Sequence, residues 1–178
     1  KNIINNKLGT NIDNLIFEKK YTDANQIMCF FGGNINKLES GIKWNINNEV
    51  KCLKKLYKKK HFPILLSVDF DKNIIYLNNC GETVDNENIP KNWKEQIKEI
   101  IKTLKNSNVK NNDMWINNFL IKNDIINLID FGWGGTKNQY PFMNIEESEI
   151  DLNYNFIELL DALYLHAAEL RIEFENKF

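Results

Sequence analysis

The chain has 178 residues, of which 43% are hydrophobic and 26% are charged, and its formal net charge is −1. Such a composition can bury a hydrophobic core, which excludes an intrinsically disordered chain. A net charge near zero provides no overall field that would attract nucleic acid or a membrane surface, so neither is an expected partner.

Cysteine spacing and the length of apolar runs indicate the cellular compartment in which the chain is expected. The three cysteines, Cys29, Cys52 and Cys80, lie far apart, which is neither a zinc pattern nor a complete disulfide set. No apolar run approaches the ~18 residues of a membrane span, and residues 1–14 contain no signal-peptide apolar region. We therefore expect a reducing, cytoplasmic location. Because the sequence begins at Lys1 rather than Met, we also expect a trimmed chain or a domain of a longer one.

The first half of the chain is predicted to contain strands and one helix. Apolar residues recur at helical spacing from Ile46 to Tyr57, which predicts a helix with asparagines available as caps. The lysines of this helix indicate a solvated face in preference to a nucleic-acid patch. The predicted strands are residues 14–22, 26–33, 40–45, 62–70 and 74–81.

The second half is predicted to be mostly helical around one hairpin. Residues 93–104 carry an apolar stripe and predict an amphipathic helix. The remaining predicted elements are strands at 119–122 and 125–130, a loop at 132–151 and a helix at 155–174. The element order predicts an α+β fold, with a β-rich lobe carrying one helix (residues 1–80) and a reduced, mostly helical lobe (residues 81–178).

Two carboxylates and a carboxamide lie around the predicted hairpin. Asp113 and Asn118 stand five positions apart before its first strand, and Asp130 follows its second strand in Asp-Phe-Gly. Asn and Asp are common in turns, so ordinary polar loops are one interpretation. The other is a metal-phosphate site, because phosphoryl transfer needs a carboxylate near the acceptor hydroxyl and hard oxygen ligands for Mg²⁺. The presence of all three residues at these positions around the hairpin favours the metal-phosphate site.

The order Asp, four residues, Asn, a short hairpin and Asp-Phe-Gly resembles the protein-kinase-like superfamily. The resemblance covers roughly residues 15–135 and implies a two-lobed fold that binds ATP and Mg²⁺. It implies that Asp113 is the catalytic base and that Asn118 and Asp130 are the metal ligands. Residues 47–84 resemble the family's glutamate-bearing helix, the two strands after it and the hinge.

The same resemblance implies a nucleotide site. Glu49 lies where the family has its helix glutamate, and Lys43 is then the lysine of the third strand that holds the phosphates, with Lys37 as the alternative. At the hinge, the implied adenine contacts are Leu77 at the entrance and the backbone groups of Asn79 and Cys80.

Several positions depart from the family pattern. Asn111 and Asn112 precede Asp113 without the family's histidine, and Trp115 stands where kinases of the Ser/Thr type usually have lysine. No glycine-rich phosphate loop and no Ala-Pro-Glu triplet are present. These departures imply a small kinase whose acceptor is a hydroxyl on a small molecule or glycan, with protein second. Trp115 and Trp133 flank the predicted site, either as part of an acceptor pocket or as core.

A different class of function also stays open. The missing glycine loop and the altered triplet before Asp113 are consistent with a pseudokinase, that is, a nucleotide-binding or protein-interaction module without catalysis. Retention of Asp113, Asn118 and Asp130 together favours the enzyme.

Overall fold

The computed structural model describes residues 9–12, 16–21, 35–136 and 154–175, with side chains for 16–21, 41–136 and 154–165. These residues form a mixed α+β fold with small antiparallel sheets, as predicted. The helices are α1 (Ile35–Lys55), α2 (Trp93–Ser107) and α3 (Phe156–Glu175). The strands are β1 (Gly9–Ile12), β2 (Ile16–Lys20), β3 (Leu65–Asp69), β4 (Ile74–Asn78), β5 (Glu82–Thr83), β6 (Val109–Lys110), β7 (Phe119–Lys122), β8 (Ile125–Leu128) and β9 (Gly135–Thr136).

The largest described sheet has the order β1-β2-β4-β3, and all its pairings are antiparallel. The predicted strand at residues 14–22 is present as β2, and the predicted hairpin of residues 62–81 is present as β3 and β4. The predicted strand at residues 26–33 lies outside the described residues. The register places Phe17 opposite Leu77 and Lys19 opposite Ile75, so β2 lies beside the most buried strand of this sheet.

The strand predicted at residues 40–45 is wrong, because these residues form the middle of α1. Burial along α1 follows a helical period, but three of its buried positions are polar, namely Asn45, Asn48 and Glu49. The apolar periodicity therefore becomes visible only from Ile46 onward. The tryptophan and β-branched residues before that point were consistent with a strand.

The helices and the hairpin of the second half are confirmed. Asn108 is the C-cap of α2, and its left-handed backbone (φ 49°) lets its N–H donate to the last carbonyls of the helix. A two-residue turn with positive φ at Asn123 and Asp124 joins β7 to β8, as short hairpins require. α3 begins with a capping box: Glu158 N–H donates to Asn155 Oδ1, and Asn155 N–H donates to Glu158.

One core joins these elements. One cluster of buried side chains comes from the inner face of α2, the strands β7 and β8, the first turns of α3, α1 and β4. The largest fully buried side chains are Phe119, Phe131, Ile46, Leu53, Leu56, Ile75, Ile97, Ile100, Met114, Ile126 and Leu128. None of the helices among the described residues combines the length and the apolar character of a membrane-spanning segment.

Gly81, at the predicted lobe boundary, makes a close backbone approach. Its φ is +113°, and a Cβ at this position would lie 2.1 Å from the carbonyl oxygen of Ile121 in β7. Both the backbone conformation and the missing side chain are therefore required where the chain passes from β4 to β5.

Gly81→Ala is expected to destabilise the protein by about 1–3 kcal/mol, because a strained backbone and a backbone clash are forced together. Denaturant unfolding would measure the change. Glu87→Ala, at an exposed site in the following loop, is the control and is expected to change stability by less than about 0.5 kcal/mol. Equal stabilities for the two variants would contradict the assignment.

Candidate functional site

A buried ammonium joins three elements of the fold. Lys19 Nζ lies 2.7 Å from Glu49 Oε2 and 2.8 Å from Asp130 Oδ1. The hydroxyl of Tyr21 also donates to Glu49 Oε2, and the Lys19 ammonium lies 4.9 Å from the centre of the Tyr21 ring. Glu49 has no exposed surface, and only 4% of Lys19 is exposed. The cluster therefore ties β2, α1 and the segment after β8 together, with Lys19 and Glu49 buried and the Asp130 side chain 17% exposed.

The ionisable groups of this cluster shift one another's pKa values. Burial raises the pKa of Glu49; Lys19 opposes the rise, and Asp130, a second carboxylate, adds to it. Burial alone would lower the pKa of Lys19, but attraction to Asp130 and Glu49 outweighs burial, so its pKa is raised. One ammonium thus faces two carboxyl groups, and Lys19 and Asp130 act in opposite directions on the charged form of Glu49.

The lysine of the cluster is not the one that the sequence indicated. Lys43 lies in α1 with its side chain exposed, and on a helix two residues six positions apart project about 120° apart. Its expected place on a third strand beside Glu49 is therefore wrong. Lys37 also lies in α1, and its side chain is outside the described ones. The partner of Glu49 is Lys19.

The sequence contained a signal for Lys19. Phe17, Lys19 and Tyr21 alternate along one strand and so share one face, and Phe17 and Tyr21 pack against the hydrophobic core. A lysine between two inward aromatic residues is unusual unless it is paired. The strand prediction for residues 40–45 supplied a nearer lysine and concealed this signal.

The entry to the hairpin places Asp113 and Asn118 in contact. Asn118 Nδ2 donates to Asp113 Oδ2 at 3.0 Å and to the Asp113 carbonyl at 2.7 Å. Asn118 is in a short 3₁₀ helix (Ile116–Asn118), and its carbonyl accepts from Ile129 N–H at 2.8 Å, at the far end of the hairpin. The amide nitrogen of Asn118 therefore faces Asp113, and the two ends of the hairpin are bonded together.

Asn111 was not predicted as a site residue, yet it bridges the two carboxylate segments. Its Nδ2 donates to the carbonyls of Ile129 (3.1 Å) and Asp130 (2.9 Å), and its Oδ1 accepts from Asp113 N–H at 3.0 Å. Only 1% of Asn111 is exposed. A single neutral carboxamide therefore positions Asp113 relative to Asp130.

Asp130 itself has a left-handed backbone, with φ at 58°. Asp tolerates this conformation better than bulky residues do, and the turn lets Gly132 N–H donate to Asp130 Oδ1 at 3.2 Å. The same oxygen contacts Lys19. The backbone turn therefore aims the carboxylate of Asp130 at the buried ammonium.

The predicted hinge residues lie at and beyond the end of β4. Leu77 is buried within the sheet, with 4% exposed. The carbonyl of Asn79 accepts from Lys122 Nζ at 3.0 Å, and the carbonyl of Cys80 accepts from Asn127 Nδ2 at 3.0 Å. Each of these two carbonyls thus already has one intramolecular donor, which reduces its capacity to accept a hydrogen bond from an adenine.

The two tryptophans predicted to flank the site have different surroundings. Trp133 lies 5.7 Å, centre to centre, from Trp44 of α1 and belongs to the packing of that helix. Trp115 is 45% exposed, and its ring lies 6.0 Å from that of Tyr164 in α3. Of these two tryptophans, Trp115 is therefore the one that presents a broad aromatic surface to solvent.

The donor set fits Mg²⁺. Asn118 and Asp130 offer a carboxamide and a carboxylate oxygen, the ligands that this ion prefers. Within the described side chains, no group of three or more His, Cys, Asp or Glu residues is gathered as a metal cage. Mg²⁺ commonly takes one or two carboxylates and fills its octahedron with water and phosphate oxygens, so this small set is chemically adequate.

Comparison with known proteins gives only distant likenesses. No protein-family model matches the sequence, and no curated protein matches it. The chain is similar to the kinase PK-1 of Cydia pomonella granulovirus, with 16% identity over 54% of this chain and a TM-score of 0.40. It is also similar to the bifunctional kinase-methyltransferase WbdD, with 16% identity over 87% of this chain and a TM-score of 0.48. The chain spans 41% and 40% of the lengths of these two proteins. Such similarity is too distant to transfer a function.

Lys19→Met is expected to destabilise the protein by about 3–5 kcal/mol, because it leaves the buried Glu49 carboxylate without its counter-charge. Lys43→Met is the matched control at an exposed lysine and is expected to change stability by less than about 0.5 kcal/mol. Denaturant unfolding of the two variants beside the parent would compare them. A larger loss for Lys43→Met would restore the original assignment.

Proposed function

We propose that this chain is a kinase-like phosphotransferase that uses Mg²⁺ and moves the γ-phosphate of ATP to a hydroxyl acceptor. Its two lobes would comprise about residues 1–80 and 81–178. The observation that supports this most is the Lys19 ammonium held between Glu49 and Asp130. Phosphoryl transfer depends mainly on positioning and charge, and a buried, oriented ammonium beside a carboxylate supplies both.

Asp113 is proposed as the base. Its backbone N–H is held by Asn111 and its Oδ2 by Asn118, so the carboxylate is oriented before an acceptor arrives. A general base must lie within hydrogen-bond reach of the proton that it removes. Asp113 is half-buried, and its carboxylate would take up the proton as the oxygen attacks.

Lys19 is proposed to hold the phosphates. An ammonium has three N–H donors, and the contacts to Glu49 and Asp130 account for two of them. The third remains for a phosphate oxygen. Asn118 and Asp130 would hold Mg²⁺, which when bound would neutralise the charge of the phosphates. The adenine of ATP is proposed to contact Leu77, Asn79 and Cys80, chiefly through backbone N–H groups.

A second candidate function has its own support. Asp130 is directly ion-paired with Lys19, and the carbonyls of Asn79 and Cys80 already have donors. These contacts fit a module that keeps the fold and an ordered ion-pair cluster but performs no chemistry, acting by nucleotide binding or protein interaction. Turnover of ATP separates the two candidates.

Asp130→Asn is expected to abolish Mg²⁺-dependent ATP binding, because it removes a charge that would coordinate the ion. ATP with Mg²⁺ at ~100 times its Kd should stabilise the parent by about 2.7 kcal/mol, measured by thermal unfolding with and without Mg²⁺. Asp161→Asn, on the exposed face of α3, is the control and should keep the full shift. An undiminished shift in Asp130→Asn would remove Asp130 from the metal site.

Asp113→Asn is expected to keep nucleotide binding and lower kcat by about 10²–10⁴-fold, as loss of a general base does. Product formation from labelled ATP over a panel of acceptors would measure it. Slow ATP loss with every acceptor, equal in parent and variant, would decide for the non-catalytic module.

A further inference from the structure

The residue after the proposed base is turned inward, and the next one is turned outward. Met114 has no exposed surface, whereas Asp113 is half-buried and Trp115 is 45% exposed. Asp113 and Trp115 lie on either side of the inward Met114 and are both more exposed than it is. We infer from this alternation that both project away from the core.

Trp115 has an aromatic partner from a distant part of the sequence. Tyr164 of α3 lies with its ring centre 6.0 Å from that of Trp115, and the ring planes are tilted by 39°. α3 packs against the 3₁₀ helix that follows Trp115, and its first turns are fixed in the core through Leu160 and Leu163. The pair is thus a supported aromatic surface, in contrast to a single mobile side chain.

We propose that Trp115 and Tyr164 form the acceptor subsite and that the acceptor is a sugar ring, free or within a glycan. This inference rests on the proposed phosphotransferase function and names its substrate class. A pyranose ring has an apolar face of C–H groups and a rim of hydroxyls. The aromatic pair covers the apolar face by dispersion contact, while one hydroxyl of the rim is directed to Asp113.

A peptide acceptor fits this surface less well. A serine side chain carries no ring that an indole can cover, and Trp115 supplies no positive charge beside the phosphoryl group. An aromatic surface with an oriented carboxylate two residues away is suited to a cyclic acceptor that has an apolar face and hydroxyls at its rim. The acceptor is thus selected by the shape of its ring, and the carboxylate selects the hydroxyl.

The test uses the full chain with ATP and Mg²⁺, and with four kinds of acceptor: methyl glycosides of common hexoses, nucleosides, amino alcohols and a serine peptide. Trp115→Ala and Tyr164→Ala are expected to raise the KM for the best glycoside on the order of tenfold and to leave the KM for ATP unchanged. Trp115→Phe should recover most of the affinity. Tyr57→Ala, at a 52% exposed aromatic residue elsewhere, is the matched control and should behave as the parent.

The outcomes separate this inference from the function on which it rests. Phosphorylation of a glycoside with an unchanged KM in both aromatic variants overturns the subsite and leaves the phosphotransferase intact. Preference for the serine peptide, nucleosides or amino alcohols overturns the sugar assignment alone. No transfer to any acceptor overturns both. If Tyr164→Ala fails to fold, Trp115→Ala and Trp115→Phe decide, since Trp115 is exposed.

Discussion

The Lys19 ammonium between Glu49 and Asp130 is the interaction on which the rest of the site depends. Removing an ion from water costs several kcal/mol, and this cluster removes an ammonium and one whole carboxylate. Such a cost is tolerated only when the partners are present together and well aligned. Correct folding of β2, α1 and the segment after β8 is therefore linked at one point, and a displacement of any of them exposes or isolates a charge.

Carboxamides do much of the positioning around this cluster. Asn111 uses both of its N–H donors and its oxygen to join Asp113 to the Asp130 segment. Asn112, with φ at 62°, donates to the carbonyl of Trp133. A neutral imidazole has one donor and one acceptor, whereas a carboxamide has two donors and an acceptor. Asn111 can therefore hold Asp113 and the Asp130 segment at the same time, and it adds no charge beside the carboxyl groups.

The sequence predicted the parts of the molecule that depend on local patterns. The stripe of α2, the turn at Asn123 and the spacing of Asp113 from Asn118 are all set by nearby residues. Prediction from the sequence failed where the buried face of an element is polar. The inner face of α1 includes Asn45 and Glu49, so hydrophobic periodicity did not reveal that the helix extends through this region. The partner of Glu49 lies 30 residues away, a distance at which pairing follows from sheet register and not from spacing along the chain.

The two ion pairs of Lys19 differ in burial. The side chain of Glu49 has no exposed surface, whereas that of Asp130 is 17% exposed. Asp130 is therefore partly open to solvent, and Glu49 is not. The energetic cost of opening is also unequal, because a separated Glu49 would stay desolvated while a separated Asp130 could be hydrated. The proposed phosphate contact of Lys19 would therefore be made on the side of Asp130, where separating the ion pair costs less.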